Sequence, residues 1–380
     1  MKNSFLFIKR NIIARYLLVA VFLLFIISST RNVFETPTLK LLFDETRIVL
    51  LTCFFLISVR AIKINFIGIV FLGIAIIKVT FDGDLFIGQL VVGIFISRLL
   101  FDLERNEVIA SLVSWSTIAI VTVIFFVKIG FIESKIGFNP IAASTILAIE
   151  HKEDWGFWHP NIISSLLAGC MVASFYIGNR KFFALSIIAY LVVLTGTVSR
   201  TFLFIPIILI IFFAIESRGY LSSKLSLLFA LSLGLVSSFL SFLFVFPALL
   251  KSFLSERFYQ TIDGVVSHRL DISYRLIQGV DFFEYFSGLH QIKLEVDSLF
   301  VNFALSQGGI VYVLFLMFLI YSMFLAFKKK MTKELLVISL FMLISNFEDV
   351  TGISSLFFVV FCICLFYIFN KKSTNYRLNY

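Results

Sequence analysis

Charge is scarce in this chain. Only 14% of its 380 residues are Asp, Glu, Lys or Arg, while 60% are hydrophobic. A soluble domain built this way would leave a large apolar surface in water. Cysteine is scarce too: Cys53, Cys170, Cys362 and Cys364 all fall inside apolar runs, which argues against a disulfide framework or a zinc site. No internal repeat is visible, which weighs against transporters built from duplicated halves. The alternating ten-residue segments of a β-barrel are missing. So are a Walker motif, GxSxG, HExxH and a dinucleotide fingerprint, and ATP is therefore not the expected energy source. No cleavable signal pattern precedes the first apolar run. The net charge of +9 does not point to nucleic acid, because the cations sit in short turns and form no continuous basic face.

What the chain does have is apolar stretches from end to end. Each is close to the roughly 18–20 residues that cross about 30 Å of hydrocarbon as a helix. Backbone polar groups in such a setting must be satisfied within helices. The expected fold is therefore all-α: a polytopic integral membrane protein of about 12 transmembrane helices, forming one membrane-embedded domain over residues 1–380. The predicted helices are Tyr16–Ser29, Arg47–Val59, Ile64–Val79, Leu85–Leu100, Val108–Val127 and Asn161–Ile177. Then follow Phe182–Thr197, Thr201–Ile215, Leu225–Leu249, Gln307–Phe327, Glu334–Phe347 and Ser354–Asn370.

Lys and Arg counts orient these helices. With a cytoplasmic N-terminus, the inner segments hold Lys9 and Arg10, Arg60 and Lys63, Arg98 and Arg105, Arg180 and Lys181, Arg218 and Lys224, and Lys328 to Lys330. The C-terminal tail adds Lys371, Lys372 and Arg377. The outer segments carry most of the acids, including Asp82, Asp84, Glu150, Glu153, Asp154, Glu348 and Asp349. Both termini are thus expected in the cytoplasm.

Two outer segments exceed a turn. One covers residues 128–160; the larger, 250–298, lies between the ninth and tenth helices. Long ordered loops on a rigid scaffold are where functional residues concentrate. The larger loop holds Arg257, His268, Arg269, Arg275, His290 and Asp297. Outer segments should be poor in Arg, so something offsets that bias. One reading is internal ion pairing, Arg269 with Asp271 or Arg275 with Asp281. The other is an anion site, since guanidinium forks grip phosphate oxygens. Arg200 lies between two apolar runs in Thr195-Gly196-Thr197-Val198-Ser199-Arg200-Thr201. It reads either as a snorkelling interface cation or as a fixed charge at the mouth of a cavity.

The segment Trp155-Gly156-Phe157-Trp158-His159-Pro160-Asn161 precedes the sixth helix. It reads as an aromatic anchor with a helix start at Pro160, or as a platform on which sugar rings stack while His159 and Asn161 bond hydroxyls. His290 and Asp297 are candidates to take a proton from a hydroxyl. Asp82-Gly83-Asp84 looks like the paired-aspartate metal motif of nucleotide-sugar transferases, but its place in a tight outer turn reads as a turn.

The Trp155–Asn161 and Thr195–Thr201 segments, followed by Val296-Asp297-Ser298-Leu299-Phe300 and Gly308-Gly309-Ile310-Val311, resemble the O-antigen and capsular polysaccharide polymerases of the Wzy type. The related O-antigen ligases share the layout. This resemblance implies a metal-independent glycosyltransferase without cofactor, in the bacterial cytoplasmic membrane. Its donor would be a polyprenyl-diphosphate-linked oligosaccharide. It implies diphosphate binding by Arg200 first, then Arg257, Arg269 and Arg275, and sugar contacts from Trp158, His159 and Asn161. The family's loop histidine maps to His290; the ligases place a His where this chain has Asp297, so either is the expected base. Membrane lipids, a chain-length regulator and a flippase are the expected partners. Transfer of a finished glycan by a ligase, and transport of lipid-linked sugars, are the competing functions.

Overall fold

The computed structural model describes residues 2–30, 33, 35–59, 94, 105–138, 151–157, 160–196, 200–221, 223–265, 269–278, 280, 282–287, 298–347 and 356–369. The expected helices Ile64–Val79 and Leu85–Leu100 lie outside them. The described residues are helical apart from one short ribbon. In chain order the elements are α1 (Lys2–Ser28), α2 (Pro37–Val59), α3 (Arg105–Lys128), β1 (Ile136–Phe138), β2 (His151–Glu153), α4 (Pro160–Ile177), α5 (Arg180–Leu194) and α6 (Arg200–Ser217). They continue with α7 (Lys224–Val245), α8 (Pro247–Phe253), α9 (Glu256–Val265), α10 (Arg269–Gln278), α11 (Phe282–Ser287), α12 (Leu299–Gln307), α13 (Gly309–Lys328), α14 (Thr332–Ser345) and α15 (Leu356–Phe369).

Among the described residues three helices are long and apolar enough to cross a bilayer: Asn106–Lys128, Lys224–Val245 and Gly309–Lys328. Shorter apolar helices, among them Asn161–Ile177 and Leu356–Phe369, accompany them. The protein is membrane-associated. The face each long helix presents fits that solvent. On α7 the buried side includes the small residues Ser226, Ala230, Gly234, Ser237, Ser238 and Ser241, beside Leu227, Leu231, Phe244 and Val245. Its open side carries Leu225, Val236 and Phe239. Small residues let helix backbones approach closely in a medium where burying Leu gains nothing over lipid. The serine hydroxyls do not go unpaired: Ser237 and Ser238 donate to the carbonyls of Leu233 and Gly234.

The chain divides into two compact units. The first comprises Met1–Phe138, His151–Ile210 and Thr351–Tyr367. Within it α1 packs on α2 and α3, and α3, α4 and α5 pack on one another. The second comprises Asn139–Glu150, Ile211–Val350 and Ile368–Tyr380. There α7 packs along α14 and α13, with α12 between α7 and α13.

One expected helix is broken and another starts late. The run expected to continue to Leu249 stops at Val245, and Phe246 takes φ −118° and ψ 58° as the cap. Pro247 causes this: its ring excludes the α conformation at the preceding residue and removes an N–H. The run expected from Gln307 starts instead at Gly309, and an unexpected helix, α12, ends at Gln307. Gly308 stands between them at φ 94° and ψ 147°, a conformation open in practice only to glycine. A further departure is the antiparallel ribbon, which pairs Ile136 with Glu153 and Phe138 with His151 inside the segment 128–160. The four cysteines are free thiols.

Candidate functional site

The ribbon organises one end of the first unit. The N–H of Glu153 donates to the carbonyl of Gly196 across 2.9 Å, and the N–H of Asp154 donates to the carbonyl of Lys135. Asp154 is buried. Its Oδ1 accepts from the backbone N–H of Lys135 at 3.1 Å and of Gly156 at 2.9 Å, and from the Ser134 hydroxyl at 3.3 Å. A carboxylate filled by several donors is a strong local clamp. The same Ser134 hydroxyl reaches Oε1 of Glu153 at 3.0 Å. An aspartate that bonds backbone two residues on is the physical basis of an Asx-turn, and here it lets Trp155 adopt φ 52°.

Trp155 is fully buried. It is a core side chain, not an exposed interface anchor or a stacking platform. The Lys128 ammonium, at the last residue of α3, sits 4.3 Å over its ring, a cation–π contact. A side chain at Gly196 would collide with Oε2 of Glu153 and lie 3.1 Å from the Trp155 indole nitrogen. The close approach of Gly196 to β2 therefore needs a residue without Cβ. Glu35, in the turn two residues before α2, reaches the same end through Lys135 at 3.3 Å. A bridge between Thr30 and Phe157 closes it. An open cleft of about 670 Å³ lies beside the ribbon, lined by Lys128, Phe131, Glu133, Ser134 and Glu153 among others.

Arg200 is the first residue of α6, four residues beyond Gly196, so its Cα is held within about 14 Å of that contact. Asn161 lies in the first turn of α4 and is half-buried. Trp158 and His159, the other expected sugar contacts, fall outside the described residues, as do His290, Asp297, His268, Asp82, Asp84, Glu348 and Asp349.

Arg257, Arg269 and Arg275 belong to the second unit. Arg257 is exposed on α9, and Arg269 begins α10. Arg275 is exposed and pairs with Asp271 one turn earlier at 2.6 Å. An exposed pair at this spacing is worth only about 0.3–0.5 kcal/mol, and Asp281, the partner expected for Arg275, lies outside the described residues. Sequence reasoning missed Lys251. Its ammonium lies 4.4 Å from the Tyr274 ring and 5.6 Å from the Tyr259 ring. Tyr259 is buried, and its hydroxyl has no partner among the described residues. Burial, with the Asp263 and Asp271 carboxylates nearby, pushes its pKa up to about 12. Asp263 accepts from the Asp271 N–H at 3.0 Å, so one helix of the loop caps the next.

Among the described residues no cluster of His, Cys, Asp and Glu has the makings of a metal site. No protein-family model, no curated protein and no solved structure matches this chain.

Proposed function

We propose that this protein is a polysaccharide polymerase of the bacterial cytoplasmic membrane. It would cross that membrane about 12 times with both termini in the cytoplasm, and join polyprenyl-diphosphate-linked oligosaccharide repeats at the outer face. The observation that carries the reading is the contact of Glu153 with Gly196. It brings together the two segments whose sequence resembles the polymerases, the tryptophan segment and the segment that leads into Arg200.

Helix ends support the alternating topology. In the first unit, Thr30, Glu35, Lys135, Glu153 and Phe157 belong to turns expected outside and Gly196 to a helix end expected there, and Thr30 pairs with Phe157, Glu35 with Lys135 and Glu153 with Gly196. In the second, Glu216 and Lys333 belong to ends expected inside, and they form an ion pair.

The chemistry needs no nucleotide. A hydroxyl of the acceptor sugar attacks the anomeric carbon of the donor glycan. The bond from that carbon to the carrier phosphate breaks, and the diphosphate leaves with the electron pair. Arg200, and after it Arg257, Arg269 and Arg275, are the cations assigned to that growing charge, a role fixed guanidinium groups fill without a metal. His290 or Asp297 takes the hydroxyl proton. Trp158, His159 and Asn161 hold sugar. The lipid tails reach the site through the bilayer, which accounts for a catalyst embedded in it.

Reconstitution with a defined polyprenyl-diphosphate oligosaccharide tests this directly. A ladder of products spaced by one repeat unit on a gel is the expected result. Transfer of a whole glycan to a different acceptor indicates a ligase. Movement of the substrate across the vesicle wall without elongation indicates a transporter, and either outcome refutes the polymerase.

A further inference from the structure

The short helices after α7 carry apolar side chains where a segment bathed in water would carry polar ones. Phe253, the last residue of α8, is 82% exposed, and Phe258 on α9 is 54% exposed. Ile262, one turn on from Phe258, shares its stripe. Gln260 lies on the far side of the same helix, exposed and bonded to the Glu256 side chain at 3.2 Å. A third stripe, Tyr259 and Asp263, is buried. So α9 has an inward face, a polar face, and an apolar face that the described residues leave open.

The position of that face decides what covers it. Phe246 alone separates α7 from α8. The two steps through the non-helical Phe246 span at most about 3.8 Å each and the six helical steps of α8 about 1.5 Å each, so Phe253 lies within about 17 Å of the end of α7. The headgroup layer outside the hydrocarbon is roughly 5–7 Å deep on each side. The loop is also tied down to that end. The Tyr285 hydroxyl on α11 donates to the carbonyl of Val245 at 2.6 Å. The Phe246 ring packs on Tyr285 at 5.9 Å, Phe286 at 6.3 Å and Tyr312 near the start of α13 at 6.2 Å. Burial raises the Tyr285 pKa, so its proton stays available for that bond. On α7 itself the open apolar face ends with Phe239, 63% exposed, less than two turns before the corner.

We propose that α8 and α9 lie in the plane of the membrane surface, with Phe253, Phe258 and Ile262 sunk at the boundary between headgroups and acyl chains and Gln260 facing water. The inference rests on the reading that α7 crosses the bilayer. Amphipathic helices of this kind bury an apolar face about 5–10 Å into the interface. Across α8 to α11 the four cations Lys251, Arg257, Arg269 and Arg275 are balanced by the four acids Glu256, Asp263, Asp271 and Glu284. Apolar burial, not attraction to anionic lipid, therefore holds the segment, and a zwitterionic bilayer suffices. Arg257 flanks the apolar stripe, which puts its guanidinium at the depth of lipid phosphates.

The test uses the full-length protein reconstituted in phosphatidylcholine vesicles whose acyl chains are brominated near the headgroup. Phe258→Trp, Gln260→Trp and Phe239→Trp are compared with the parent, whose three tryptophans set the background. Bromine should quench the added emission of Phe258→Trp and Phe239→Trp at least about twofold more than that of Gln260→Trp. Equal quenching at 258 and 260, with 239 strongly quenched, overturns the proposal and leaves the spanning helix standing. An unquenched 239 overturns the spanning reading as well. Phe253→Trp provides the same readout on α8 if the 258 variant fails to fold.

Discussion

The amide of Glu153 donates to the carbonyl of Gly196, and the side chain of Glu153 fills the space where a β-carbon at 196 would stand. One glycine thus admits both the ribbon and its carboxylate to the turn before Arg200. Gly196→Ala should force Glu153 aside. The expected cost is about 1–3 kcal/mol of stability, typical of added volume in a packed site. Thermal unfolding in detergent reads it. If the reading of this end as the outer-face site holds, polymer should shorten in a strain making normal amounts of the variant.

Arg200→Ala should abolish polymer while the protein still inserts and accumulates. Arg200→Lys keeps the charge but loses the planar fork, and should restore only a small part of the activity. Glycan ladders from membranes of matched protein content measure both. Wild-type chain length in the alanine variant would remove Arg200 from the mechanism.

Chelation distinguishes this chemistry from that of the nucleotide-sugar transferases. Elongation by the reconstituted protein should be unchanged in EDTA. Strong loss, rescued by a divalent cation, would return attention to Asp82 and Asp84.

Asn346 follows α14 and is fully buried. Its amide donates to the carbonyl of Ser237 on α7 at 3.0 Å and to that of Met342 at 2.9 Å. Its Oδ1 has no partner among the described residues. A hydrogen bond between helices in a membrane averages about 0.6 kcal/mol, and the unmet acceptor offsets part of it. Asn346→Leu should therefore cost less than about 1 kcal/mol in a denaturation series in micelles.

Tyr259 provides a pH test. Its pKa is raised from the ordinary 10.0 to about 12, so the folded protein holds this proton more tightly than the unfolded chain. Its contribution is fully present below pH 10 and is lost as pH climbs toward 12. Tyr259→Phe should flatten the fall in stability across that window. At neutral pH it should be neutral or slightly stabilising, because the hydroxyl it removes is buried without a partner.

Hydropathy made the apolar helices legible, and ten of the predicted runs fall on described helices. Their polar ends were not legible. α1 begins at Lys2 and α2 at Pro37, because Lys9, Arg10, Asp44 and Glu45 end the apolar signal without ending the backbone bonds. Arg47 and Asp44 even support α2 as a pair at 3.2 Å. The helices α9 to α11 lie in the segment 250–298, expected as loop, and α8 straddles its start, since six to ten residues are too short for periodicity to register. For the candidate site, the tryptophan and arginine segments stood out by composition. Their contact did not, because a backbone bond between distant residues leaves no mark on either one. Asp154 was counted only as an acidic residue of an outer loop, and nothing local revealed that it would take three donors.

The ammonium of Lys128 resting on the buried ring of Trp155 also sets a waterline. α3 runs 24 residues, about 36 Å, against roughly 30 Å of hydrocarbon. On the proposed reading that α3 crosses the bilayer, with its last residue moored to a ring packed in the ribbon, the helix cannot slide inward to match a thicker bilayer unless the ribbon follows. A change in lipid thickness must then be met by tilt at the opposite end, where Arg15 and Glu107 pair at an exposed 3.3 Å.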